Sequence, residues 1–513
     1  MSAVVVVVLQ VIRALFAQNQ QLRIRLAGRR PKPPSERLEA VERQLSFAFA
    51  VPHNDVATAP APPPPRNDEP ATKPRPTRTP RPPIPKHLPE IVVPNDVPAS
   101  ERTCATCAVP MKTLRYRMVR TIDVIPGRIV VRCRRDETVA CPRCDAIACA
   151  KAPPTLLDGG LLGPVLVTEA LCSKVLDAMP VERQARALQR QGAPVAASTL
   201  GRSIASLLAL LVPLSERVLA RVKASERVQM DATSLRVLDR EAPTGTVRDT
   251  LWALIGDGRW VHFAALERGD SDALEALIEG AEADSFQCDG TSVSNFVETR
   301  WKRRRPGCHA HGRRRLVAAL RGGDPRALEG LRLYRKLFEI ETRGKPLDVA
   351  ARQRLREVES VPVLEALRQW VLTLAPSVEP RSQLGEALTY LQRQWLRLCL
   401  FVYDGAVEAT NNRSERELRA WTLGSHTWLF VGDQTHARRW AAAYSVVHTA
   451  LAQGLEPRAY LHAVVRKLIA GHPHTKLDEL LPDAMRGAHP ELVDPLRAAR
   501  ASGTAQPPDA RAA

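Results

Sequence analysis

The chain has 513 residues, which is too long for one compact domain, and its formal charge of +19 favours a polyanionic partner such as nucleic acid. A basic solvated surface is the alternative explanation of this charge. Ten unevenly spread cysteines argue against a secreted disulfide scaffold and favour a reducing cytoplasm. The apolar N-terminus is interrupted at Arg13 and is too short to span a bilayer, so we expect no membrane contact. It also lacks a basic stretch ahead of the apolar run, so we expect no signal peptide.

Two segments precede the first cysteine. Residues 1–50 are predicted to be helical, because Val8, Leu15 and Leu22 recur every seven residues, as in a leucine-zipper-like coiled coil. The repeat is short, and a plain amphipathic helix is the alternative. Residues 51–99 contain 16 of the 42 prolines, and this density predicts a stiff, basic linker.

Residues 100–152 contain two Cys-x-x-Cys pairs with 33 residues between them. Each pair can place two thiolates on one ion, so the two pairs predict a structural Zn²⁺ site with four sulfur ligands. The gap is longer than the usual spacing, Cys133 and Cys149 are near enough to be alternative ligands, and unligated cysteines are a further alternative. The predicted ligands are Cys104, Cys107, Cys141 and Cys144.

After the cysteines, the spacing of apolar residues is first typical of helices and then, from residue 227, of alternating strands and helices. Residues 153–226 show three helical patterns and form a predicted helical DNA-binding region. Residues 227–450 begin with three strand patterns, a helix and a fourth strand. Three sequential antiparallel strands, a crossover helix and a further strand are typical of an RNase H-like α/β catalytic core. Residues 315–400 are rich in Leu and Arg, show no strand pattern and read as helical.

Two aspartates fall at matching places in this strand order. Asp231 lies inside the first strand, where Asp is disfavoured, and Asp289 ends the fourth. The first and fourth strands of an RNase H-like sheet are neighbours, so the two carboxylates would repel one another unless a cation lies between them. Mg²⁺ fits such a site because it prefers hard oxygen ligands and keeps several waters.

Glu415 supplies a third acid, in the first turn of a predicted helix that the side chains of Asn411 and Asn412 are expected to cap. A helix packed beside the sheet would bring Glu415 to the aspartates, where two Mg²⁺ ions, or Mn²⁺, would serve an in-line phosphoryl transfer. The arginines around it that are predicted to hold DNA phosphates are Arg413, Arg416 and Arg419.

Each acid also has a purely structural interpretation. Asp231 could be a satisfied strand-edge acid, and Asp289 could be a turn residue before Gly290. Glu415 could be a surface acid paired with Arg419 four residues later. The joint placement of the acids in one strand order favours the metal site.

Cys308, His309 and His311 are compact enough to form part of a metal site. The chain has no second ligand cluster nearby, so the favoured interpretation is a thiol packed in the core and histidines that meet DNA or a neighbouring strand. Arg313 and Arg314 follow directly and are predicted to contact phosphates.

Several longer segments resemble the insertion-sequence-66 family of bacterial transposases, over roughly residues 10–480. These segments are "GCHAHGRRRL", "YLQRQWLRLCLFVYDGAVEATNNRSERELRAWTLGSHTWLFVG" and "AAAYSVVHTALAQGLEPRAYLHAVV". The resemblance implies an acid triad of the Asp-Asp-Glu type, which falls on Asp231, Asp289 and Glu415. The helical stretch at about 315–400 then looks like the family's insertion between the second and third acids.

The resemblance further implies a DNA transposase that binds the terminal inverted repeats of its element and target DNA, in a bacterial, nucleoid-associated setting. It supports the zinc segment and implies accessory proteins of the same element. Two DNA ends must be paired, so we expect a homodimer or higher oligomer. A C-terminal helical region at 451–484 and a disordered tail at 485–513 complete the predicted organisation.

One alternative function remains at this stage. The family's Asp-Asn-Asn is Thr410-Asn411-Asn412 in this chain, and its Gly-Arg-Lys-Asn-Trp is Gly424-Ser425-His426-Thr427-Trp428. Both changes leave the three acids in place but alter residues expected near DNA. A catalytically inactive DNA-binding protein derived from a transposase is therefore the second hypothesis.

Overall fold

The computed structural model describes residues 90–125 and 127–494. The predicted coiled coil of residues 1–50 and most of the predicted linker, residues 51–99, lie outside the described residues.

The larger compact unit comprises Pro82–Val317 and Arg326–Ala513, and the described part of the smaller unit is Ala318–Pro325. The strands are β1 Glu90–Asn95, β2 Lys112–Ile125, β3 Arg128–Ala140, β4 Ile147–Cys149, β5 Arg227–Leu238, β6 Thr246–Gly256, β7 Trp260–Leu266 and β8 Ser285–Gln287. The helices are α1 Pro164–Leu176, α2 Val181–Arg190, α3 Ala197–Lys223, α4 Ser271–Ile278, α5 Phe296–Thr299, α6 His309–Arg321, α7 Ala327–Gly344, α8 Val349–Leu355, α9 Val361–Leu374, α10 Gln383–Cys399, α11 Asn412–Trp428, α12 Gln434–Ala452, α13 Pro457–Ile469 and α14 Pro482–Ala488.

The first sheet is built around β3, which has β2 on one side and β1 and β4 on the other. β1 pairs in parallel with β3 from Glu90 to Asn95, so the end of the predicted proline-rich linker is a strand instead. Its sequence, EIVVPN, explains the difference, because its consecutive β-branched residues favour an extended, paired backbone over a free linker.

The second sheet has the strand order β7-β6-β5-β8. β5, β6 and β7 pair antiparallel in sequence, whereas β8 pairs in parallel with β5 after the crossover helix α4. The sequence predicted three antiparallel strands, a helix and a fourth strand beside the first, and the structure has this arrangement. The mixed α/β class is therefore confirmed.

The outer edge of this sheet is closed by two hydroxyl groups from helix α12. Ser445 accepts a hydrogen bond from the backbone N–H of Phe263, and Thr449 accepts one from Val261. The same hydroxyls face the carbonyl oxygens of these two β7 residues. Because an open strand edge is a template for unwanted pairing, this contact both anchors α12 and protects the sheet.

Helix α3 is the one described helix that is long and apolar enough to cross a membrane. It packs against β7 and α12, and its core-facing side chains are buried, among them Leu200, Leu207, Leu211 and Val218.

Residues 309–399 hold five helices and a π-helical turn at Arg356–Ser360. Arg356 is fully buried, and its guanidinium donates two hydrogen bonds to the carboxylate of Glu341 at 2.7 and 2.8 Å. Its remaining Nη1 donates to the carbonyl oxygens of Phe401, Asp404 and Val407 at 2.8–2.9 Å. One buried cation therefore fastens the helices to the loop that leads to α11.

The C-terminal boundary differs from the predicted one. α14 and the turn after it continue to Asp494, and Met485 and Leu492 are buried. The sequence placed a disordered tail at 485–513, because the region is rich in Ala, Pro and Arg. The apolar side chains packed into the core extend the ordered structure past residue 485.

Replacing Arg356 by Ala should destabilise the fold by about 3–5 kcal/mol, because a buried Glu341 would lose its partner. Chemical unfolding followed by circular dichroism measures this change. Arg343→Ala is the matched control, since the Arg343–Glu359 pair belongs to the same helices but is solvent-exposed. Equal stability of the two variants would contradict the assigned role of Arg356.

Candidate functional site

Four cysteine thiols converge at one end of the first sheet. The Sγ atoms of Cys104, Cys107, Cys141 and Cys144 all lie within 4.8 Å of one another. Four of the six Sγ–Sγ distances run from 3.0 to 3.8 Å. A tetrahedral site with Zn–S bonds of about 2.3 Å requires sulfur atoms about 3.8 Å apart, so the group can hold an ion such as Zn²⁺.

The two Cys-x-x-Cys pairs adopt the same backbone turn. Cys104 N donates to Val109 O and Cys141 N donates to Ala146 O, at 3.0 and 2.8 Å. The residue after each second cysteine, Ala108 or Asp145, has a φ of 54°. Backbone N–H groups in the first turn, chiefly that of Cys107, lower the pKa of Cys104 to about 6, which favours the thiolate that binds metal.

The alternative ligands lie elsewhere. Cys133 is buried in the middle of β3, and Cys149 is exposed in β4. Neither belongs to the four-thiol group. Within the described residues, this group is the one set of three or more possible metal ligands whose ligand atoms all lie within 4.8 Å of one another.

Asp231 and Asp289 lie at equivalent positions on two neighbouring segments, β5 and the chain just after β8. Gln229 and Gln287 are register partners on β5 and β8, and their side chains are hydrogen-bonded at 2.8 Å. Asp231 and Asp289 each lie two residues further along, and side chains two apart point to the same face of a sheet. β8 itself ends at Gln287, so Asp289 lies just beyond the strand rather than at its last residue.

Helix α11 is fixed beside β5 by Asn411. The Asn411 side chain donates to the carbonyl oxygen of Met230, the residue before Asp231, at 3.0 Å. Its backbone N–H donates to the Cys308 sulfur at 3.2 Å. The predicted side-chain cap is therefore wrong for Asn411: it occupies the N-cap position but caps no helical N–H, because its amide is used across the fold. Glu415 is brought to the β5 side of the helix by this contact.

The Asp231 carboxylate is influenced electrostatically by both other acids. Burial is the main cause that raises the pKa of Asp231 to about 7, and the charges of Asp289 and Glu415 raise it further. Arg314 and the backbone N–H of Ala232 oppose the shift. A divalent cation bound between these carboxylates would offset their repulsion and favour the ionised form of Asp231.

Glu415 is held by Arg314 of helix α6, and His311 of the same helix lies beside it. Arg314 donates to both carboxylate oxygens, at 2.8 and 3.1 Å, and His311 lies 3.5 Å from the nearer oxygen. The pair with Arg419 that the surface interpretation required is not formed. His311 was missed as a neighbour of Glu415, because the two residues are 104 positions apart and no local pattern connects them.

Most of the predicted phosphate contacts line one cleft of about 650 Å³ beside Glu415, here called the Glu415 cleft. Arg313, Arg314, Arg416 and Arg419 line it together with Lys345. Arg413 instead lines a neighbouring cleft with Gln229, Asp257 and Gly258. Four of the five predicted arginines therefore meet at the third acid.

Cys308 and His309 are core residues. Both are buried, and the His309 ring nitrogen Nε2 lies 2.9 Å from the carbonyl oxygen of Leu398. The ring packs edge-on against Tyr334 and Phe401. The predicted core position of Cys308 is confirmed, but the expectation that this histidine meets DNA or a neighbouring strand is wrong, because the helical residues after it enclose the ring.

The acids are linked to the helical segment through Gln287. Its amide nitrogen donates to the carbonyl oxygen of Glu408 at 2.6 Å and to that of Gly307 at 3.1 Å. Arg352 donates two hydrogen bonds to the Glu408 carboxylate, both at 2.9 Å. The loop before α11 is thus fixed from the sheet on one side and from α8 on the other.

Cys104→Ser should lower the zinc content of the purified protein from one ion per chain to well below one, because four sulfur ligands are needed. Cys149→Ser is the control, since this exposed thiol lies outside the group. Metal analysis by mass spectrometry reads out both variants, and an unchanged content in Cys104→Ser would rule out this ligand set.

Asp231→Asn should stabilise the protein in the absence of Mg²⁺, increasingly so from pH 5 to pH 8. The folded-state pKa of about 7 lies above the unfolded value of 3.8, so unfolding free energy falls as pH rises through this window. Above pH 7 the advantage of Asn reaches at most about 4 kcal/mol. Urea unfolding at several pH values measures it, and a pH-independent difference would contradict the assigned environment.

Comparison with known proteins assigns the chain to a family. The family model described as "Transposase IS66 family" matches residues 159–439, more than half of the chain, and the IS66 C-terminal element matches residues 445–482. Uncharacterized protein y4hP of Sinorhizobium fredii (strain NBRC 101917 / NGR234) is 27% identical over 499 residues, covering 91% of this chain and 88% of that protein. Uncharacterized protein y4jD of the same strain is 29% identical, covering 78% and 81%. This chain belongs to the IS66 family of transposases.

Proposed function

We propose that this protein is an active transposase of the Asp-Asp-Glu type with an RNase H-like core. It cuts a phosphodiester bond at each end of its element and joins the freed 3′-hydroxyl to target DNA. The observation that carries the proposal is the placement of the acids: the Gln229–Gln287 hydrogen bond aligns the segments that carry Asp231 and Asp289, and Asn411 ties the start of α11 to the residue before Asp231. Burial, aided by the charges of Asp289 and Glu415, raises the pKa of Asp231 to about 7. Carboxylates whose charges act on a buried acid are unfavourable unless a cation joins them.

The three carboxylates fit Mg²⁺ by their chemistry. They are hard oxygen donors on one side of the sheet, and the four-thiol group offers a separate, softer site for Zn²⁺. When bound, two Mg²⁺ ions, or Mn²⁺, would lower the pKa of an attacking water or 3′-hydroxyl and stabilise the leaving oxygen. Asp231 and Asp289 would hold them from the sheet, and Glu415 would complete the site from α11.

The residues around the acids would position DNA. The exposed arginines of the Glu415 cleft would bind backbone phosphates, with Arg313, Arg416 and Arg419 having no carboxylate partner within the described part of the chain. Arg314 would exchange its bond to Glu415 for a phosphate, which frees the acid for the metal. Phosphate binding and completion of the metal site are thereby coupled.

Other parts of the chain would deliver the DNA. The zinc segment and the helices at 153–226 would bind the terminal inverted repeats, and two subunits would pair the two ends. Accessory proteins of the same element would act with the transposase.

One observation favours the second candidate, a catalytically inactive DNA-binding protein derived from a transposase. Glu415 is occupied by Arg314, and Thr410 stands in the Glu415 cleft where the family carries an acid. Such a protein would bind element ends but leave them uncut.

Purified protein should cleave element-end DNA when Mg²⁺ is added. Asp231→Asn, Asp289→Asn and Glu415→Gln should each slow cleavage by a factor on the order of 10²–10³, because each removes a charge that stabilises the transition state. Gel-based measurement of cleaved ends reads out the rate.

Glu226→Gln is the matched control, since this exposed acid lies immediately before β5 and outside the cluster. Binding of the same DNA without cleavage by the wild type would favour the second candidate. Cleavage by the three acid variants at the wild-type rate would remove the proposed catalytic residues.

A further inference from the structure

A second basic cleft opens beside Asp289 and shares no lining residue with the Glu415 cleft. It has a volume of about 320 Å³ and is named the Asp289 cleft here. Helix α6 contributes to both clefts, with Arg313 and Arg314 in the first and Arg315 in the second. The remaining wall comes from α10, through Tyr390 and Arg393.

The floor of the Asp289 cleft is packed closely against the acid site. Gly290, the residue after Asp289, is closely packed: a Cβ there would lie 3.0 Å from the Gln394 amide and 3.1 Å from the Tyr390 ring, so these neighbours would have to shift to admit a side chain. The Tyr390 hydroxyl donates to the carbonyl oxygen of Cys308 at 3.2 Å, which fixes the ring. α10 is thereby held directly against the loop that carries Asp289.

The cationic groups of this cleft are free to bind an anion. Arg315 lies over the Tyr390 ring, 4.8 Å from its centroid, and both Arg315 and Arg393 are exposed without a carboxylate partner in the described residues. Glu386 also lines the cleft and is the one acid there. A planar guanidinium stacked on an aromatic ring is well placed for a phosphate or a nucleotide base.

An in-line displacement sets a geometric requirement on the DNA. The scissile phosphate is a diester, so DNA extends from the phosphorus on one side through the leaving oxygen and on the other through the ester oxygen that is retained. In-line attack by water or by a 3′-hydroxyl needs both DNA segments to be held away from the incoming oxygen. The Glu415 cleft can accept one of these segments. The Asp289 cleft can accept the other, because it begins one residue from an acid of the cluster.

From this geometry we infer that the Asp289 cleft binds the sugar–phosphate backbone on one side of the scissile phosphate, while the Glu415 cleft binds the other side. Arg315 and Arg393 contact phosphates, and Tyr390 supports Arg315. The helical segment 315–400 therefore forms part of the DNA path. This inference rests on the proposed function, since it requires a phosphodiester at the three acids.

The test measures DNA affinity with Ca²⁺ in place of Mg²⁺, so that binding is separated from cleavage. Three duplexes are compared: one that spans the element end, one truncated on the flanking side and one truncated on the element side. On the spanning duplex, Arg315→Ala and Arg393→Ala should each weaken binding several-fold and reduce the slope of log affinity against log salt by about 1.

The two truncated duplexes show which side of the scissile phosphate each cleft binds, because a variant cannot weaken binding to DNA that is no longer there. The loss caused by Arg393→Ala should disappear with one truncated duplex, and the loss caused by Arg416→Ala should disappear with the other. Glu386→Gln should tighten binding to the spanning duplex, because it removes the one like charge that a phosphate would meet in the Asp289 cleft. Arg335→Ala, an exposed arginine of α7 paired with Glu339, is the control and should change nothing.

The outcomes separate the inference from the proposed function. Unchanged affinity and salt slope in Arg315→Ala and Arg393→Ala, with weaker binding in Arg416→Ala, would overturn the inference and leave the proposed function standing. Equal losses on all three duplexes would also overturn it. Absence of binding and of Mg²⁺-dependent cleavage in the wild type would overturn both.

Discussion

Burial of the Asp231 carboxylate, with the charges of Asp289 and Glu415 acting on it, is the constraint around which the second sheet and its neighbours are organised. Asp231 lies on β5, Asp289 follows β8 and Glu415 begins α11, and each is carried by backbone that is fixed by other contacts. The Gln229–Gln287 bond aligns the segments that carry the two aspartates, and Asn411 attaches α11 to the residue before Asp231. These contacts keep the acids in place, and burial, aided by the charges of Asp289 and Glu415, raises the pKa of Asp231 to about 7.

The helical segment between the second and third acids has a structural part in this arrangement. Arg356, buried against Glu341, binds three carbonyl oxygens of the loop at 401–407. Gln287 binds the same loop from the sheet side through Glu408. A disturbance of the segment would thus reach Glu415 through the backbone that precedes α11. This gives the segment a role in placing the third acid as well as in forming the two basic clefts.

The sequence predicted the elements whose signals are local. Three strand patterns, a crossover helix and a fourth strand pattern predicted the four strands and their order, which placed Asp231 and Asp289 side by side. The Cys-x-x-Cys spacing gave the four thiols, because each pair closes its own turn. β1 was missed because prolines dominated the composition around it, although its own six residues favour a strand.

The contacts that define the acid site could not be predicted in this way. Asn411 was expected to cap its own helix, but its amide reaches Met230, 181 residues away. Arg314 was expected to meet phosphate, and in the protein alone it meets Glu415. Burial of Arg356 likewise depends on carbonyl oxygens 45–51 residues later. Such pairs become visible only when distant segments are packed together, since no local periodicity encodes them.

The claim that the three acids bind divalent cations can be tested directly by anomalous diffraction from crystals of the protein–DNA complex soaked in Mn²⁺. The account predicts Mn²⁺ within about 2.5 Å of carboxylate oxygens of Asp231 and Asp289, with Glu415 released from Arg314 and turned towards the ion. Mn²⁺ absent from these acids, with Glu415 still bound to Arg314 while DNA occupies the Glu415 cleft, would contradict it.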